Sequence, residues 1–431
     1  MSAARGGCPK NGASDARRTL GNTMWLTASS LATKALAYVQ FLLVVRAFSE
    51  VEVGIYAVCL TGVVFAELVA NLGLDRVVVR EVARLGKPDS RELFDSSLLL
   101  KTAASMGAYL LCLGTFWLLY PEIVTPHGPA LTAFLAYVPV CALARSFESH
   151  FTALERMAIP ALGQFAERVT MLAAALAAWT GLCGFDAFLA VLPLAAVVRA
   201  AIPAFLFFTD RDGGGLLHIS KSRSKGLLSD SSWMFGVEIV AVAYFRVDIF
   251  MLSKMVDLRA TGLYQAAYKV FDFFIAMFTG YLTAIFPVMA RGKAHLRPSM
   301  LLLGAGAVCL LFTAPGIALR REILTLFKPE YVEAAPVLVC LMMTLPLIYI
   351  NSLLANFAVA MSRVRLLFFV AVPMLGVNVS LNMGLIPRYG ILGAALATLC
   401  GEILLGCVLL LALKPFRGKS PQAPEVLNGT V

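Results

Sequence analysis

Residues 231–291 decide the fold and read SSWMFGVEIVAVAYFRVDIFMLSKMVDLRATGLYQAAYKVFDFFIAMFTGYLTAIFPVMAR. They form two apolar runs, each long enough to cross a bilayer, interrupted by Glu238, Arg246, Asp248, Lys269 and Asp272. Charged side chains are costly at that depth, so they indicate either a functional site or a structural ion pair.

The same pair of runs occurs earlier in the chain. One constant offset, without a gap, aligns Trp25 with Trp233, Gly54 with Gly262, and Tyr56 with Tyr264. The duplication predicts two halves built on one helical scaffold, as in many transporters.

The composition indicates an integral membrane protein. Of 431 residues, 59% are hydrophobic and 14% are charged, whereas the apolar share of soluble domains is about 45–50%. Lys and Arg outnumber Asp and Glu by 36 to 26, but the excess lies in loops that set membrane topology, so no nucleic-acid partner is expected. No phosphate loop, HExxH, GxSxG or CxxC motif occurs, so we expect no enzyme, metal or other cofactor.

The predicted fold class is an all-α integral membrane protein of about 12 transmembrane helices, in two pseudo-symmetric six-helix bundles around a central cavity. The predicted spans are 23–46, 52–73, 96–119, 129–148, 161–180, 185–208, 231–254, 261–285, 299–319, 332–355, 366–386 and 390–413. The predicted organisation is a basic amino terminus (1–22), a first bundle (23–208), a basic linker (209–230), a second bundle (231–413) and a tail (414–431).

The basic residues predict the orientation. Most Lys and Arg outside the spans fall on the side of the two termini, including Arg76, Arg80, Arg145 and Lys221. By the positive-inside rule, both termini of this multi-pass protein are expected in the cytoplasm.

Two charges stand out in the first half. Lys34 shares one helical face with Thr27, Ser30 and Tyr38, which makes it a candidate contact for an anionic substrate. The structural alternative is that the Lys34 side chain extends its charged end to the membrane–water interface, or that it forms an ion pair, for example with Glu67. Glu67 is in turn either a proton or cation site or a fixed partner for Lys34.

The second half carries different charges on the same scaffold. Glu238 and Arg246 lie about 80° apart on a helical wheel and can border one cavity, whereas Asp248 is expected to face another helix. Lys269 and Asp272 are three residues apart, which predicts an intrahelical ion pair as the structural alternative.

Cations on several spans could line one basic lumen suited to a phosphate-bearing substrate, whereas a pump for lipophilic cations would need an acidic one. Lys101 lies near a cytoplasmic edge where its side chain can reach water, and close helix packing is the structural alternative for Arg168 and Arg199. The candidate substrate contacts are Lys34, Arg246, Lys269, Arg199, Arg168 and Tyr38. The candidate ion-coupling carboxylates are Glu67, Glu238, Asp248 and Asp272.

Several stretches resemble the polysaccharide translocase, or O-antigen flippase, family of the multidrug, oligosaccharidyl-lipid and polysaccharide exporter superfamily. They are LVVRAFSEVEVGIY at 43–56, NLGL at 71–74, VREVAR at 79–84, RVD at 246–248 and GLYQAAY at 262–268. The resemblance runs from about residue 20 to 415. Only RVD matches an element that recurs in that family, so few residue roles carry over.

The resemblance implies a flippase that moves an undecaprenyl-diphosphate-linked oligosaccharide across the bacterial inner membrane by alternating access, often coupled to H⁺ or Na⁺. It also implies membrane lipid and the lipid-linked oligosaccharide as partners. Genes for glycosyltransferases and a polymerase are expected beside the gene for this protein. We also expect the protein to function as a monomer. The alternatives are a multidrug or cation antiporter of the same superfamily and, in a different class, a membrane glycosyltransferase or polymer ligase.

Overall fold

The computed structural model describes residues 32–84, 87–209, 221–290, 306, 309–311, 313–360 and 363–413. Within these ranges the chain is helical and contains no strand. Seven helical stretches are long and apolar enough to cross a membrane, and further long helices accompany them. The predicted all-α membrane fold is therefore confirmed. The predicted segments 1–22 and 414–431, and much of the ninth span, lie outside the described ranges.

The first half consists of eight described helices, because the fourth span is divided at Ala136 and a short helix follows the second. They are α1 (32–47), α2 (Glu50–Asn71), α3 (Leu74–Arg84), α4 (Lys87–Leu119), α5 (Pro121–Leu135), α6 (Tyr137–Ala153), α7 (Ala158–Trp179) and α8 (Phe185–Thr209).

The second half begins with a helix that includes residues 221–230 of the predicted linker. Its elements are α9 (Lys221–Met255), α10 (Leu258–Ala290), α11 (Arg320–Thr325), a 3₁₀ helix (Pro329–Ala334), α12 (Ala335–Ala360), α13 (Val364–Tyr389) and α14 (Ile391–Leu413).

Local sequence signals fix both ends of α2. Ser49 caps its start: the hydroxyl accepts from the backbone N–H of Glu52 at 3.3 Å, and the Glu52 carboxylate accepts from the N–H of Ser49 at 2.8 Å. This reciprocal box satisfies two otherwise unpaired donors. The helix ends at Leu72, whose φ of 50° and the 72° of Gly73 turn the chain into α3.

The two halves meet where α2 crosses α10. A Cβ atom at Gly54 would overlap the main-chain oxygen of Leu258, and one at Gly262 would overlap that of Glu50. Gly54 and Gly262 are the equivalent positions of the sequence repeat. Small residues let helix backbones approach closely in a membrane, so this crossing explains why both repeats keep glycine here.

Cations reinforce this contact on the distal face, defined as the face where α1 ends and α2 begins. Arg46 Nε donates to the main-chain oxygen of Leu326 at 2.9 Å, across the two halves. Its repeat equivalent, Lys254, pairs with Glu122 at 2.7 Å and lies 3.8 Å from the ring centre of Tyr120. On the distal face, a cation of each half therefore contacts a residue of the other half.

On the opposite, proximal face, described residues of α3, α4 and α9 also join the halves. Leu227 of α9 is buried among apolar residues of α3 and α4, including Val78. Arg76 of α3 pairs with Glu238 of α9 at 3.3 Å, although the Arg76 side chain is 68% exposed. Solvent-exposed ion pairs contribute at most about 1 kcal/mol, so α3 and α9 are held mainly by apolar packing.

Replacement of Gly54 or Gly262 by alanine should weaken the contact between the halves. The added methyl group meets main-chain atoms, which cannot turn aside as a side chain can, and overpacking of this kind costs roughly 1–3 kcal/mol. We expect lower melting temperatures for purified Gly54→Ala and Gly262→Ala in detergent, measured by intrinsic fluorescence. Gly114→Ala is the matched control, because a Cβ there has no neighbour within 4 Å. An equal loss in this control would contradict the crossing's role.

Candidate functional site

A cavity of 180 Å³, here called the central cavity, lies between the two halves. Helices α1, α2, α6, α7 and α8 form most of its wall, and α10 of the second half closes it. Its polar lining consists of Gln40, Tyr56, Glu67, Tyr137, Glu167, Arg168, Gln265 and Lys269. The structure thus brings together three predicted site residues: Glu67, Arg168 and Lys269.

The two cations of the central cavity have no ion-pair partner among the residues that the structure describes. Arg168 belongs to α7 and Lys269 to α10, so each half contributes one of them. Lys269 lies 5.7 Å from the ring centre of Phe41, and the carboxylate that acts on it electrostatically, Asp272, is held by Arg246. Both side chains are half-buried.

The carboxylates of the same cavity are already engaged. Glu167 accepts from the Tyr137 hydroxyl at 2.8 Å and pairs with Arg199 at 3.2 Å. Glu67 is 3.9 Å from Arg145, a loose contact, and its side chain remains 22% exposed. The cavity therefore holds positive charge that its own acids do not neutralise, which is the electrostatic setting of an anion site.

Lys34 and Tyr38 lie on α1 and do not line the central cavity in this conformation. Lys34 is exposed, and no described carboxylate lies within ion-pair distance of it. The proposed pairing of Lys34 with Glu67 is therefore wrong. Tyr38 is half-buried between two rings, with centroids 5.4 Å from Phe273 and 6.2 Å from Phe327.

Arg246 is held by a partner on the next helix. Its guanidinium pairs with Asp272 of α10 at 3.1 Å and lies 5.2 Å from the ring centre of Tyr268. The alternative ion pair between Lys269 and Asp272 is thus wrong. Asp248 faces α10, as the helical wheel predicts, and accepts from the Tyr264 hydroxyl at 2.5 Å.

Two further predicted residues hold structural contacts away from the cavity. Arg199 pairs with Glu148 at 2.7 Å and with Glu167 at 3.2 Å, so it braces α6 and α7 from behind the cavity wall. It lines a groove of 540 Å³ among α3, α6, α7 and α8, here called the proximal groove. Glu238 pairs with Arg76 and Arg246 pairs with Asp272, so each of these two predicted residues has an ion-pair partner on another helix.

A buried polar cluster centred on Asp75 was missed from the sequence. Its carboxylate accepts from Lys101, from Arg145 at 2.9 Å and from Ser149 at 3.0 Å. Lys101 is 2% exposed, so the expectation that it reaches water is wrong. Arg145 lies within α6 rather than in a loop. The sequence signal for this cluster was the LGLD turn at 72–75, because it places Asp75 in the first turn of α3.

Electrostatics hold this cluster in its charged form. Burial acts to raise the pKa of Asp75, but the nearby Lys101 and Arg145 outweigh it and keep the pKa below the ordinary value of 3.8. Arg145 also contacts Glu67 at 3.9 Å, so the cluster connects the proximal face with the central cavity.

Comparison with known proteins identifies the family of this chain. Residues 19–293 match the family described as polysaccharide biosynthesis protein. The chain belongs to this family.

A curated relative agrees with the family assignment. The chain is 25% identical over 185 residues to a protein of Haloferax volcanii named probable flippase AglR. The match covers 40% of this chain and 38% of that relative, so it spans little more than a third of the relative's length.

Solved structures share the fold. Lipid II flippase MurJ in an inward closed conformation superposes with a TM-score of 0.68 at 14% identity, covering 91% of this chain and 87% of MurJ. A MATE family transporter of the MOP superfamily, in an inward-facing conformation, gives 0.70 at 12% identity, covering 89% and 94%. At these identities the likeness shows the fold alone.

Replacement of Asp75 by asparagine should destabilise the protein in a pH-dependent manner. The charged form is favoured in the folded state, so its contribution is present above the ordinary aspartate pKa of 3.8 and is lost as the pH falls below it. At neutral pH we expect a loss of about 3 kcal/mol, because Lys101 keeps a buried charge without its partner.

The measurement is the melting temperature of wild type and Asp75→Asn in detergent across pH. The gap between the two proteins should narrow as the solution is acidified below the ordinary aspartate range. A gap that stays constant with pH would show that Asp75 acts through shape rather than charge. Asp186→Asn, at an exposed carboxylate of the distal face, is the control.

Proposed function

We propose that this protein is a flippase that moves an undecaprenyl-diphosphate-linked oligosaccharide across the bacterial inner membrane by alternating access. The observation that carries the proposal is a pair of cations, Arg168 and Lys269, that have no ion-pair partner among the described residues and face one cavity from opposite halves. The family and the relative named as a probable flippase support the same class of activity.

The diphosphate is the part of this substrate that the central cavity suits best. Arg168 can donate two parallel hydrogen bonds to phosphate oxygens, and Lys269 supplies a compact charge. The Gln40 amide donates to the Tyr56 hydroxyl at 3.3 Å, which orients two further polar groups beside the cations. An anion that binds both cations would connect the two halves directly.

The size of the central cavity indicates that transport requires a change of conformation. Its 180 Å³ is below the roughly 300–1,000 Å³ of pockets that enclose drug-sized ligands. An oligosaccharide therefore needs the halves to separate, first on one face and then on the other. In the proposed orientation, the proximal face is cytoplasmic and the distal face is periplasmic.

The other predicted residues have defined places in this proposal. Lys34, Tyr38 and Arg246 are contacts that the substrate meets once the halves separate, and Arg199 holds the cavity wall. Glu67 is the coupling carboxylate nearest the diphosphate. The remaining carboxylates, Glu238, Asp248 and Asp272, act through the ion pair or hydrogen bond that each now makes.

An antiporter of lipophilic cations is the main competing function. Such a substrate would meet two unpaired cations in the central cavity, where repulsion is strong because the dielectric is low. We therefore place this alternative second.

Loss of either cavity cation should block translocation. We expect Lys269→Ala and Arg168→Ala to bind undecaprenyl diphosphate about tenfold or more weakly, because a hydrogen bond to a charged group contributes roughly 1.5–3 kcal/mol. In cells, lipid-linked oligosaccharide should accumulate on the cytoplasmic side while membrane abundance stays unchanged.

Two matched variants sharpen the test. Lys269→Arg keeps the positive charge and should retain most of the transport. Arg259→Ala removes an exposed arginine that pairs with Glu333 outside the cavity, and it should behave as wild type. Wild-type export by both alanine variants of the cavity cations would contradict the proposed site. Export of cationic dyes without any glycan defect would favour the antiporter.

A further inference from the structure

One carboxylate in the second half is buried without a cation. Glu402 of α14 is 1% exposed, and no Lys or Arg within the described ranges lies at ion-pair distance from it. Glu148 and Glu167 differ in this respect because they pair with Arg199, and Asp272 differs because it pairs with Arg246. Asp248 is also buried, but both of its oxygens accept hydrogen bonds, from the Tyr264 hydroxyl and from the backbone N–H of Ile249.

The contacts of Glu402 leave one of its oxygens open. The Asn351 amide nitrogen donates to Glu402 Oε2 at 2.7 Å and to the main-chain oxygen of Glu402 at 2.9 Å. Glu402 Oε1 has no hydrogen-bond partner among the described residues. The Tyr244 hydroxyl faces this carboxyl from α9 and is also unpartnered in the described part of the chain.

These groups share a cavity of 210 Å³ within the second half, here called the second-half cavity. Its remaining wall is almost entirely apolar and includes Phe245, Val370 and Met374. A carboxylate in such surroundings is strongly disfavoured relative to its neutral, protonated form. The site therefore needs a positive ligand whenever Glu402 is ionised.

Among the described residues of the helices packed against Glu402, the groups that face its carboxyl are neutral. Tyr244 faces it from α9, and Tyr268 of α10 lies farther away. Asn351 of α12 and Asn378 of α13, the latter beside Gly401, present neutral amides. Arg246, the nearest cation along α9, is committed to Asp272.

The ligand set fits a proton better than a metal ion. Hard cations such as Na⁺ and Ca²⁺ are bound by several oxygen atoms. Here Asn351 presents its nitrogen to Glu402, and its amide oxygen lies against Gly406, where a Cβ atom would be 2.8 Å from it. In the described lining of this cavity, Glu402 Oε1 and the Tyr244 hydroxyl are the buried oxygen atoms without a hydrogen-bond partner. A proton on Oε1 needs a single acceptor, and the tyrosine hydroxyl can supply it.

We propose that Glu402 is a reversible proton-binding site of the second-half cavity, with Tyr244 and Asn351 as positioning residues. This inference rests on the proposed function and deepens it, because it names H⁺ as the coupling ion and adds a site for it outside the central cavity, in addition to Glu67. Tyr244 precedes Arg246 on α9, so a proton that alters the contact of α14 with α9 acts on the helix that also carries the Arg246–Asp272 pair.

The test measures the proton itself and needs no transport. Infrared difference spectra of purified full-length protein, recorded as the pH is changed, detect the C=O stretch of a protonated carboxyl group. We expect a band in wild type that disappears as the pH rises and that is absent from Glu402→Gln. Glutamine resembles the neutral carboxyl in shape, so this variant should fold, which size-exclusion chromatography and melting temperature will verify.

A control and a cation arm complete the experiment. Glu122→Gln removes an exposed carboxylate of the distal face and should keep the band. Replacement of choline chloride by sodium chloride at fixed pH should leave the band unchanged. Loss of the band with Na⁺ would overturn the proposal in favour of a sodium site. Identical pH-dependent spectra for wild type and Glu402→Gln would overturn it entirely. A band without any flipping would retain the proton site and reject only the proposed function.

Discussion

The close approach of α2 and α10 is the constraint on which the rest of the structure depends. Two backbones that touch at Gly54 and Gly262 bring the two repeats together near the distal face. This contact fixes where the central cavity lies, because Lys269 follows Gly262 by two helical turns on α10. It also places Arg46 beside Leu326 and Lys254 beside Glu122, so that each cation contacts the other half.

The halves share this scaffold but use their buried charges differently. In the first half, Arg145 and Arg199 link Asp75, Glu148 and Glu167 into networks that hold α3, α6, α7 and α8 together. Within the described part of the second half, Arg246 pairs with Asp272, and Glu402 has no cation at ion-pair distance. These buried ion pairs hold the helices of the first half in fixed positions, because breaking a buried pair is costly. The second half retains groups whose charge can change.

The sequence predicted the architecture well, because apolar runs and a gap-free repeat report directly on spans and symmetry. It predicted the site only in part. A helical wheel gives the direction of a side chain and says nothing of its distance to other helices, so the alternative that paired Lys34 with Glu67 was wrong. Arg145 was counted with the loop cations although it lies near the end of the predicted span 129–148, and α6 carries it well inside the helix, which continues to Ala153. Glu402 was indistinguishable from other buried acids until the absence of a nearby cation was visible.

The remaining step of synthesis concerns why the cavity cations are divided between the halves. A site built within one half would bind its anion equally well in every relative position of the two, and such binding cannot drive their motion. Arg168 and Lys269 lie on opposite halves, so an anion that bridges them favours the arrangement in which the halves are close. In the proposed cycle, the proximal contact opens when the cavity is empty; its described residues include the exposed Arg76–Glu238 ion pair and buried Leu227. Substrate binding and closure thus become one event, because the ligand supplies the attraction that the two cations lack.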